Sequence, residues 1–545
     1  MTSPWEDGNP KSQVIILGEA PARTEMRVGR PLVGPSGALL EQCMHSAKLI
    51  RRECYVLNVF PMEVKKSRDG KVISDRHGDI LWTQKNGLTE YGEKASQETQ
   101  QRIANSSANL VVPLGGTALS FAFNDDRIMK WRGSILSGTD RVSNKKVIPT
   151  VHPAAVLRGQ YLWRHLLVSD LDRIKKEKEY PDLNLPDRNL LIDPTFEEVK
   201  SFLHECKEQK RVAYDIECLN HHVSCISFSY DPSFSMSIPL LNRKGGDRWS
   251  VEQELEIWLL IENIINDPDI MNINQNILFD MSFMLKQNAI FPQGAVGDPM
   301  IAHHIMYPDF PKGLDFLCSM HTREPYYKDD GKLWSKPWRN MELFWEYNAR
   351  DSAVALEIWN ELEGKLDEQG FRKTYEDTVS MFPILLYMGQ RGIHVNRSRL
   401  KETSQRVKNE IMAKEKELES VADYSFNISS PKQCQEYFYI HKGIKPYTNR
   451  STGKPTTDDK AMSRIYRRFH LPEAKLVQEL RALEKLHGTY LEVGIDSDDR
   501  IRSSWNPRGT KFGRFSSSKT IFGTGMNLQN LHPEFKEFLV ADNGE

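Results

Sequence analysis

The stretch Val212-Ala213-Tyr214-Asp215-Ile216-Glu217 is an apolar run ending in two carboxylates spaced i, i+2. In an extended chain, residues two apart share a face, so a strand here carries Asp215 and Glu217 side by side. Two hard oxygen donors presented this way suit a divalent cation. With 74 acidic residues in the chain, an Asp-x-Glu arises by chance about once or twice. Its meaning therefore depends on further carboxylates downstream, and Asp280 and Asp351 stand at suitable intervals.

A chain of 545 residues suggests roughly three or four domains, each burying its own core. With 39% hydrophobic and 27% charged residues, the composition is ordinary globular, with no low-complexity tract. A net charge of −1 argues against a strongly basic protein that coats nucleic acid. It leaves room for an enzyme with local basic patches, for which Arg51-Arg52, Lys65-Lys66, Lys175-Lys176 and Arg467-Arg468 are candidates. No apolar run approaches the ~20 residues of a membrane span, and the polar start MTSPWEDGNPKSQ lacks a secretory hydrophobic region. Seven cysteines without a CxxC point to reduced thiols and a cytoplasmic setting with no membrane partner.

Residues 1–178 alternate strand-like runs (Val14–Leu17, Tyr55–Val59, Leu110–Leu114, Val147–Val151) with polar helical stretches, which predicts a parallel sheet covered by helices. A site in such a fold lies at the C-terminal ends of the strands, where Gly18-Glu19-Ala20-Pro21, Asn58, Gly115-Gly116 and His152-Pro153 collect. Taken singly, the glycines are turn residues and His152 caps a loop. In order, GEAPARTEMRVGRPLVGPSGALL, LNVFP, VVPLGGTAL, WRGS and TVHPAAVLR resemble the uracil-DNA glycosylase superfamily, particularly its family 4 type. The resemblance implies an α/β/α fold in which Asn58 reads the uracil edge, His152 stabilises charge on the departing base, and Glu19 activates or positions water. It leaves open whether base excision or only a DNA-binding role survives. Leu32 stands where the family stacks an aromatic on uracil, a contact worth ~1–3 kcal/mol per base. Ala22 replaces a turn glycine. Cys43 and Cys54 do not match the family's four-cysteine pattern, so no iron–sulfur cluster is expected.

Tyr180 to Pro194 reads as a linker with little secondary structure, followed by an amphipathic helix over Glu197–Lys207. After the Asp215/Glu217 strand, Val223–Tyr230 and Phe234–Leu240 alternate as antiparallel strands. Asn276 and Asp280 are i, i+4, as are Tyr347 and Asp351, so each pair would share one face of a helix, the second running to Leu366. Four acids, two from one strand and two from separate helical stretches, can bind two divalent ions, with Tyr347 orienting the nucleophile. Asp215, Glu217, Asp280, Asp351 and Tyr347, with DPMIAHHIMYPDFPKGLDFLCSM between them, resemble the proofreading 3′→5′ exonucleases of the DEDD class, tyrosine subtype. That implies a ribonuclease H-like domain over 190–375 acting on single-stranded 3′ DNA ends with Mg2+ or Mn2+, and a DNA contact at Asn276. Adjacent His303 and His304 point apart on a helix and read as packing residues, and Cys218 as inert filler.

Residues 376–545 begin with an apolar helix over Val379–Gln390, then a long charged helix over Arg397–Ala422, a helix start at Phe426–Gln433, a loop at Thr452–Thr457 and a helix at Leu480–Tyr490. FNISSPKQ, TGKPTT, LRALEKLHGTY, GRFSSS and NLQN resemble, in order, the thumb and early palm of family A DNA polymerases, as found in large phages with a glycosylase-like first domain. By that match Arg514, Asn527, Gln529 and Asn530 contact primer–template DNA without reading its sequence. The family's first palm aspartate comes shortly after N-L-Q-N in a D-Y-S-type motif. Here the chain runs to Ala541-Asp542-Asn543-Gly544-Glu545, whose Asn-Gly reads as a turn. The expectation is an incomplete polymerase site that needs a remaining polymerase half or replisome proteins as partners.

Overall fold

A computed structural model describes residues 3–329, 340–450 and 452–542. They form two compact units, 1–379 and 380–545. The Asn543-Gly544 turn expected from the sequence lies outside the described residues.

In the first unit, Val14–Gly18, Cys54–Asn58, Leu110–Pro113 and Lys146–Val147 pair in parallel, in the spatial order 54–58, 14–18, 110–113, 146–147. These runs are continuously apolar because both faces of the sheet are covered. Ile15, Leu17, Tyr55, Leu57 and Val111 pack on one side with Phe60 and Phe121. Val14, Ile16, Val56, Leu110 and Val112 pack on the other with Leu40, Leu171 and Ile174. The fourth strand is shorter than its sequence suggests, although the Ile148 and Thr150 N–H groups still donate to the Val111 and Pro113 carbonyls at 3.1 and 3.0 Å. Where helical stretches alone were expected between the second and third strands, four short antiparallel strands intervene: Lys65–Lys66, Val72–Ser74, Ile80–Thr83 and Gly87–Leu88. Strands of two to four residues are too short for a period-2 pattern to register.

A second six-stranded sheet runs in the order Asn189–Leu191, Phe234–Pro239, His222–Asp231, Arg211–Leu219, Met271–Ile273, Val296–Gly297. The hairpin pairs are antiparallel and the flanking pairs parallel. The expected linker thus ends in an edge strand, Asn189–Leu191, before the Thr195 capping box opens the helix Phe196–Lys207. The helix Met341–Glu368 crosses the three longest strands. It approaches closely because the strands present small buried hydroxyls there: Ser227 Oγ donates to the Asn348 carbonyl at 2.8 Å, and Ser235 and Ser352 bond through their hydroxyls.

The two sheets are joined within this unit by charged groups as well as apolar ones. Arg132 and Asp170 form an ion pair with both side chains 1% exposed, and Arg132 Nη1 reaches across to Ser319 Oγ at 3.0 Å. Arg323 pairs with Glu177, which also holds Lys146 at 3.2 Å. Removing one partner of a buried pair leaves the other charge uncompensated. Asp170→Ala is expected to lower the unfolding free energy of this unit by about 3–5 kcal/mol, read from urea titration of the intact chain.

The second unit contains the helix Arg397–Val421, whose buried residues Leu400, Val407 and Leu418 meet the helix Pro472–Lys485 and its continuation Leu486–Leu491. Ser430 caps a helix that Pro431 begins. The apolar helix starts at Phe382, later than expected, with Pro383 in its first turn, and Arg372–Val379 is a separate helix. A three-stranded sheet (Arg500–Ile501, Ile393–Val395, Leu539–Val540) and a hairpin (Ser504–Asn506 with Ser516–Ser518) complete the unit.

Candidate active site

The strand Arg211–Leu219 sets the first acids. Its parallel neighbour ends at Ile273, opposite Ala213, so beyond that point this edge has free backbone donors. Asp280, in the first turn of the helix Ile277–Asn288, takes one of them: Ile216 N–H donates to Asp280 Oδ1 at 3.0 Å. The other acids lie where Met341–Glu368 crosses the strand. Oxygens of Asp215, Glu217 and Asp351 lie within 4.8 Å of one another. Asn348 Nδ2 donates to both the carbonyl and Oδ2 of Asp215 at 3.0 Å, and its own Oδ1 accepts from Ser237 Oγ at 2.8 Å.

Burial drives Asp215, Glu217 and Asp280 toward their protonated forms, and for Asp215 and Glu217 neighbouring carboxylates add to it. Asp215 lies well above the carboxylate range through burial and the charges of Asp351, Asp280 and Glu217. Glu217 is pushed up to about 8 by burial and Asp351, and Asp280 to about 7 chiefly by burial. Converging acids that resist ionising together are what a divalent cation would neutralise, so the donor set fits a metal ion. Cations and donors of the protein already touch it. Lys328 Nζ donates to Tyr347 Oη at 2.6 Å and pairs with Asp351, whose Oδ1 accepts from Tyr327 Oη at 2.6 Å. Asn348, Tyr327 and Lys328 went unassigned in the sequence. A polar amide one residue after Tyr347, in a helix whose buried residues are mostly apolar, was the available signal for the first; for the other two no motif pointed inward.

Asn276 departs from its expectation. It precedes the helix as a left-handed cap (φ 64°), so the i, i+4 face shared with Asp280 does not form, and its N–H donates to Asp298 Oδ1 at 3.2 Å. Asp298 also accepts from Ile277, Met300 and Ile301 N–H groups, a structural knot in which burial lifts its carboxyl to about 6. His303 is buried against His321 at 3.1 Å, Tyr307 and Phe316, a packing role.

At the C-terminal ends of the parallel strands, Gly18 pairs with Asn58, and the chain comes so close that a Cβ at Gly18 would meet Asn58 Oδ1 at 2.2 Å. Gly115 (φ +84°) backs onto His152, whose Nδ1 accepts from Ala154 N–H at 3.1 Å, leaving Nε2 as the donor. Glu19 is engaged: Lys66, from the inserted strands, lies 2.7 Å from it and Thr117 Oγ1 donates at 2.6 Å. Leu32 takes a positive φ of 50° and buries its side chain in the sheet core with Val14 and Leu40. Ala22 has an extended backbone any residue adopts, and its N–H bonds Glu25 at 3.2 Å, so the missing glycine costs no strain. Burial depresses the His152 imidazole to about 4. An unfolded histidine protonates near 6.5, so stability from keeping His152 neutral is full above pH ~6.5 and declines as pH falls toward about 4. His152→Gln is expected to flatten that limb of the acid-unfolding curve followed by circular dichroism.

In the second unit, Asn527 Oδ1 accepts from Ser517 Oγ and Gln529 N–H at 2.9 Å, and Gln529 Nε2 donates to the Phe515 carbonyl at 3.0 Å. This ties the turn of Leu528–Asn530 to the hairpin, with Arg514, Gln529 and Asn530 exposed. Phe512 is 80% exposed beside Lys511.

Three family models match consecutive segments: uracil DNA glycosylase superfamily over residues 5–171, 3′-5′ exonuclease over 194–367, and DNA polymerase family A over 397–541. The chain carries, in order, a domain of the uracil-DNA glycosylase superfamily, a 3′-5′ exonuclease domain and a domain of the family A DNA polymerases. DNA polymerase I of Treponema pallidum is 25% identical over 340 residues, 60% of this chain and 31% of that protein. Type-4 uracil-DNA glycosylase of Archaeoglobus fulgidus is 30% identical over 172 residues, 31% of the chain and 77% of that protein. The chain thus spans under a third of the DNA polymerase I of Treponema pallidum. Among solved structures, the POL domain of Pol1 from M. smegmatis in complex with DNA primer-template and dNTP shares the fold at a TM-score of 0.50 and 17% identity, covering 66% of this chain and 59% of that one. The exonuclease domain implies dependence on a divalent metal, and the acidic cluster is where it can bind. Among the described residues no helix is long and apolar enough to cross a membrane.

Proposed function

We propose that the chain acts in DNA replication as part of a DNA polymerase and carries out metal-dependent 3′→5′ hydrolysis of single-stranded DNA ends. The convergence of Asp215, Glu217 and Asp351, with Asp280 bonded to the same strand, carries this reading. These four would hold two ions, Mg2+ or Mn2+, which when bound supply a hydroxide nucleophile and stabilise charge on the scissile phosphate. Tyr347 orients the attacking water, and Asn348 fixes the carboxylate of Asp215. Asn276 lies at the mouth of the helix that carries Asp280 and contacts the DNA strand. Arg514, Asn527, Gln529 and Asn530 hold the primer–template duplex through its backbone and minor groove. The partners are DNA and other replisome proteins.

A 5′-labelled single-stranded oligonucleotide should shorten stepwise from its 3′ end with Mg2+ or Mn2+ and stay intact in EDTA. Digestion in EDTA, or none with either metal, would refute the assignment. Uracil excision at Asn58 and His152 is the weaker reading. Leu32 packs inward in place of an aromatic, and Glu19 is held by Lys66 and Thr117.

A further inference from the structure

The segment Tyr326–Asp329 faces two ways. Its outer residues meet the glycosylase-like domain. The Tyr326 ring meets Trp131 edge-on with centroids 5.5 Å apart, and Lys130 Nζ lies 4.6 Å over the Tyr326 ring. Lys130 also pairs with Asp329, and Arg127 stands 3.7 Å from the same carboxylate. Tyr326 Oη closes the group by donating to Asp329 Oδ1 at 3.2 Å. Trp131 is in turn braced by Phe123, 4.8 Å away.

The inner residues meet the nuclease centre. Tyr327 is 5% exposed and donates to Asp351 Oδ1, while Lys328 takes Asp351 Oδ2 and Tyr347 Oη. Arg350, next to Asp351 in the helix, lies 5.2 Å from the Tyr327 ring. Both oxygens of the Asp351 carboxylate, and the Tyr347 phenol that would orient water, are therefore held by one four-residue segment. Its outer side is clamped by a different domain.

We propose that the helix Ile128–Trp131 of the glycosylase-like domain is a positioning element of the exonuclease centre, acting through Tyr326–Asp329 on Asp351 and Tyr347. The inference rests on the exonuclease reading for its activity readout, but not for its metal-binding one. A carboxylate whose supporting contacts are lost is free to rotate, and such supporting residues typically govern metal affinity or activity by ~10–100-fold. Lys130 and Trp131 are thus positioning residues: they touch neither the acids nor the DNA end.

The test uses the full chain with Lys130→Met, Asp329→Asn and the Lys130→Met/Trp131→Leu double variant, with Lys94→Ala as a control on an exposed ion pair remote from the segment. Mn2+ binding is followed by electron paramagnetic resonance, and kcat and KM are measured on a single-stranded oligonucleotide. The expected result is Mn2+ affinity and kcat reduced ~10–100-fold in the double variant, with KM for DNA within about twofold. Lys130→Arg, which keeps a cation for Asp329, should restore both, and Lys94→Ala should match the parent. If the double variant does not fold, Lys130→Met and Asp329→Asn carry the test, and their combined effect should not exceed either alone. Unchanged Mn2+ affinity and kcat in the folded variants would overturn the proposal. So would tighter Mn2+ binding, because Lys328 would then be a competing cation and not a support. If the parent chain binds Mn2+ yet digests no DNA, the exonuclease reading fails while the positioning claim is still decided by the Mn2+ titrations.

Discussion

Asp215→Asn combined with Glu217→Gln should abolish 3′-end digestion, with a loss on the order of a thousandfold or more while the chain stays folded. The size reflects the groups removed. Both side chains come from one strand face, and with Asp351 they make the three-carboxylate cluster, so the pair supplies two of its three members. The amides keep volume and shape. Asn348 still reaches the carbonyl of residue 215, and Ile216 N–H still reaches Asp280. Burial already disfavours ionised forms at both positions, so neutral amides suit the metal-free fold better than the carboxylates do. The double variant should therefore unfold at a higher temperature than the parent without metal, and gain less when Mn2+ is added. Initial rates on a 5′-labelled oligonucleotide and melting curves with and without Mn2+ check both halves. Digestion within tenfold of the parent would mean that the hydrolytic centre lies elsewhere.

The parts of this centre that were legible in the sequence are those with a regular period. Asp215 and Glu217 share a strand face, and Asp351 comes one helical turn after Tyr347; in both cases local geometry decides the outcome. Asn276 shows where that reasoning stops. Four residues before Asp280 it fits a helix face, yet the helix begins one residue later, because Asp298, distant in sequence, takes the N–H groups of both Asn276 and Ile277. The inserted strands at 65–88 were missed for lack of length, but one of them delivers Lys66 to Glu19 and so alters the chemistry of the first domain. Leu32 was legible as a missing aromatic. That its side chain turns into the core at positive φ was not, since the turn is fixed partly by Arg51 donating to the carbonyls of Pro31 and Leu32 at 2.7 and 3.0 Å. Tyr327 and Lys328 lie in a stretch with no motif, and their role exists only through contacts with Tyr347 and Asp351, about twenty positions away.

Asn348 should behave as part of the centre although it is no ligand. Its amide is saturated: Nδ2 holds Asp215 at two points, Oδ1 accepts from Ser237, and its backbone carbonyl accepts from Ser227. Asn348→Leu keeps the volume but removes the only side-chain donor the structure gives Asp215 among the described residues, and it strands the Ser237 hydroxyl at a fully buried position. Turnover or metal affinity should fall ~10–100-fold, as for other groups that orient a metal-binding carboxylate. Asn348→Asp separates orientation from charge. A carboxylate there cannot donate to Asp215, and it adds a further negative group to acids that burial and neighbouring carboxylates already push toward their protonated forms. It should lose at least as much activity as Asn348→Leu and melt lower without metal, with Mn2+ recovering more of its melting temperature than in the parent. Equal melting behaviour of the two variants, with and without Mn2+, would show that Asn348 acts by packing alone. A difference that closes on adding Mn2+ would place its amide in the electrostatics of the nuclease centre.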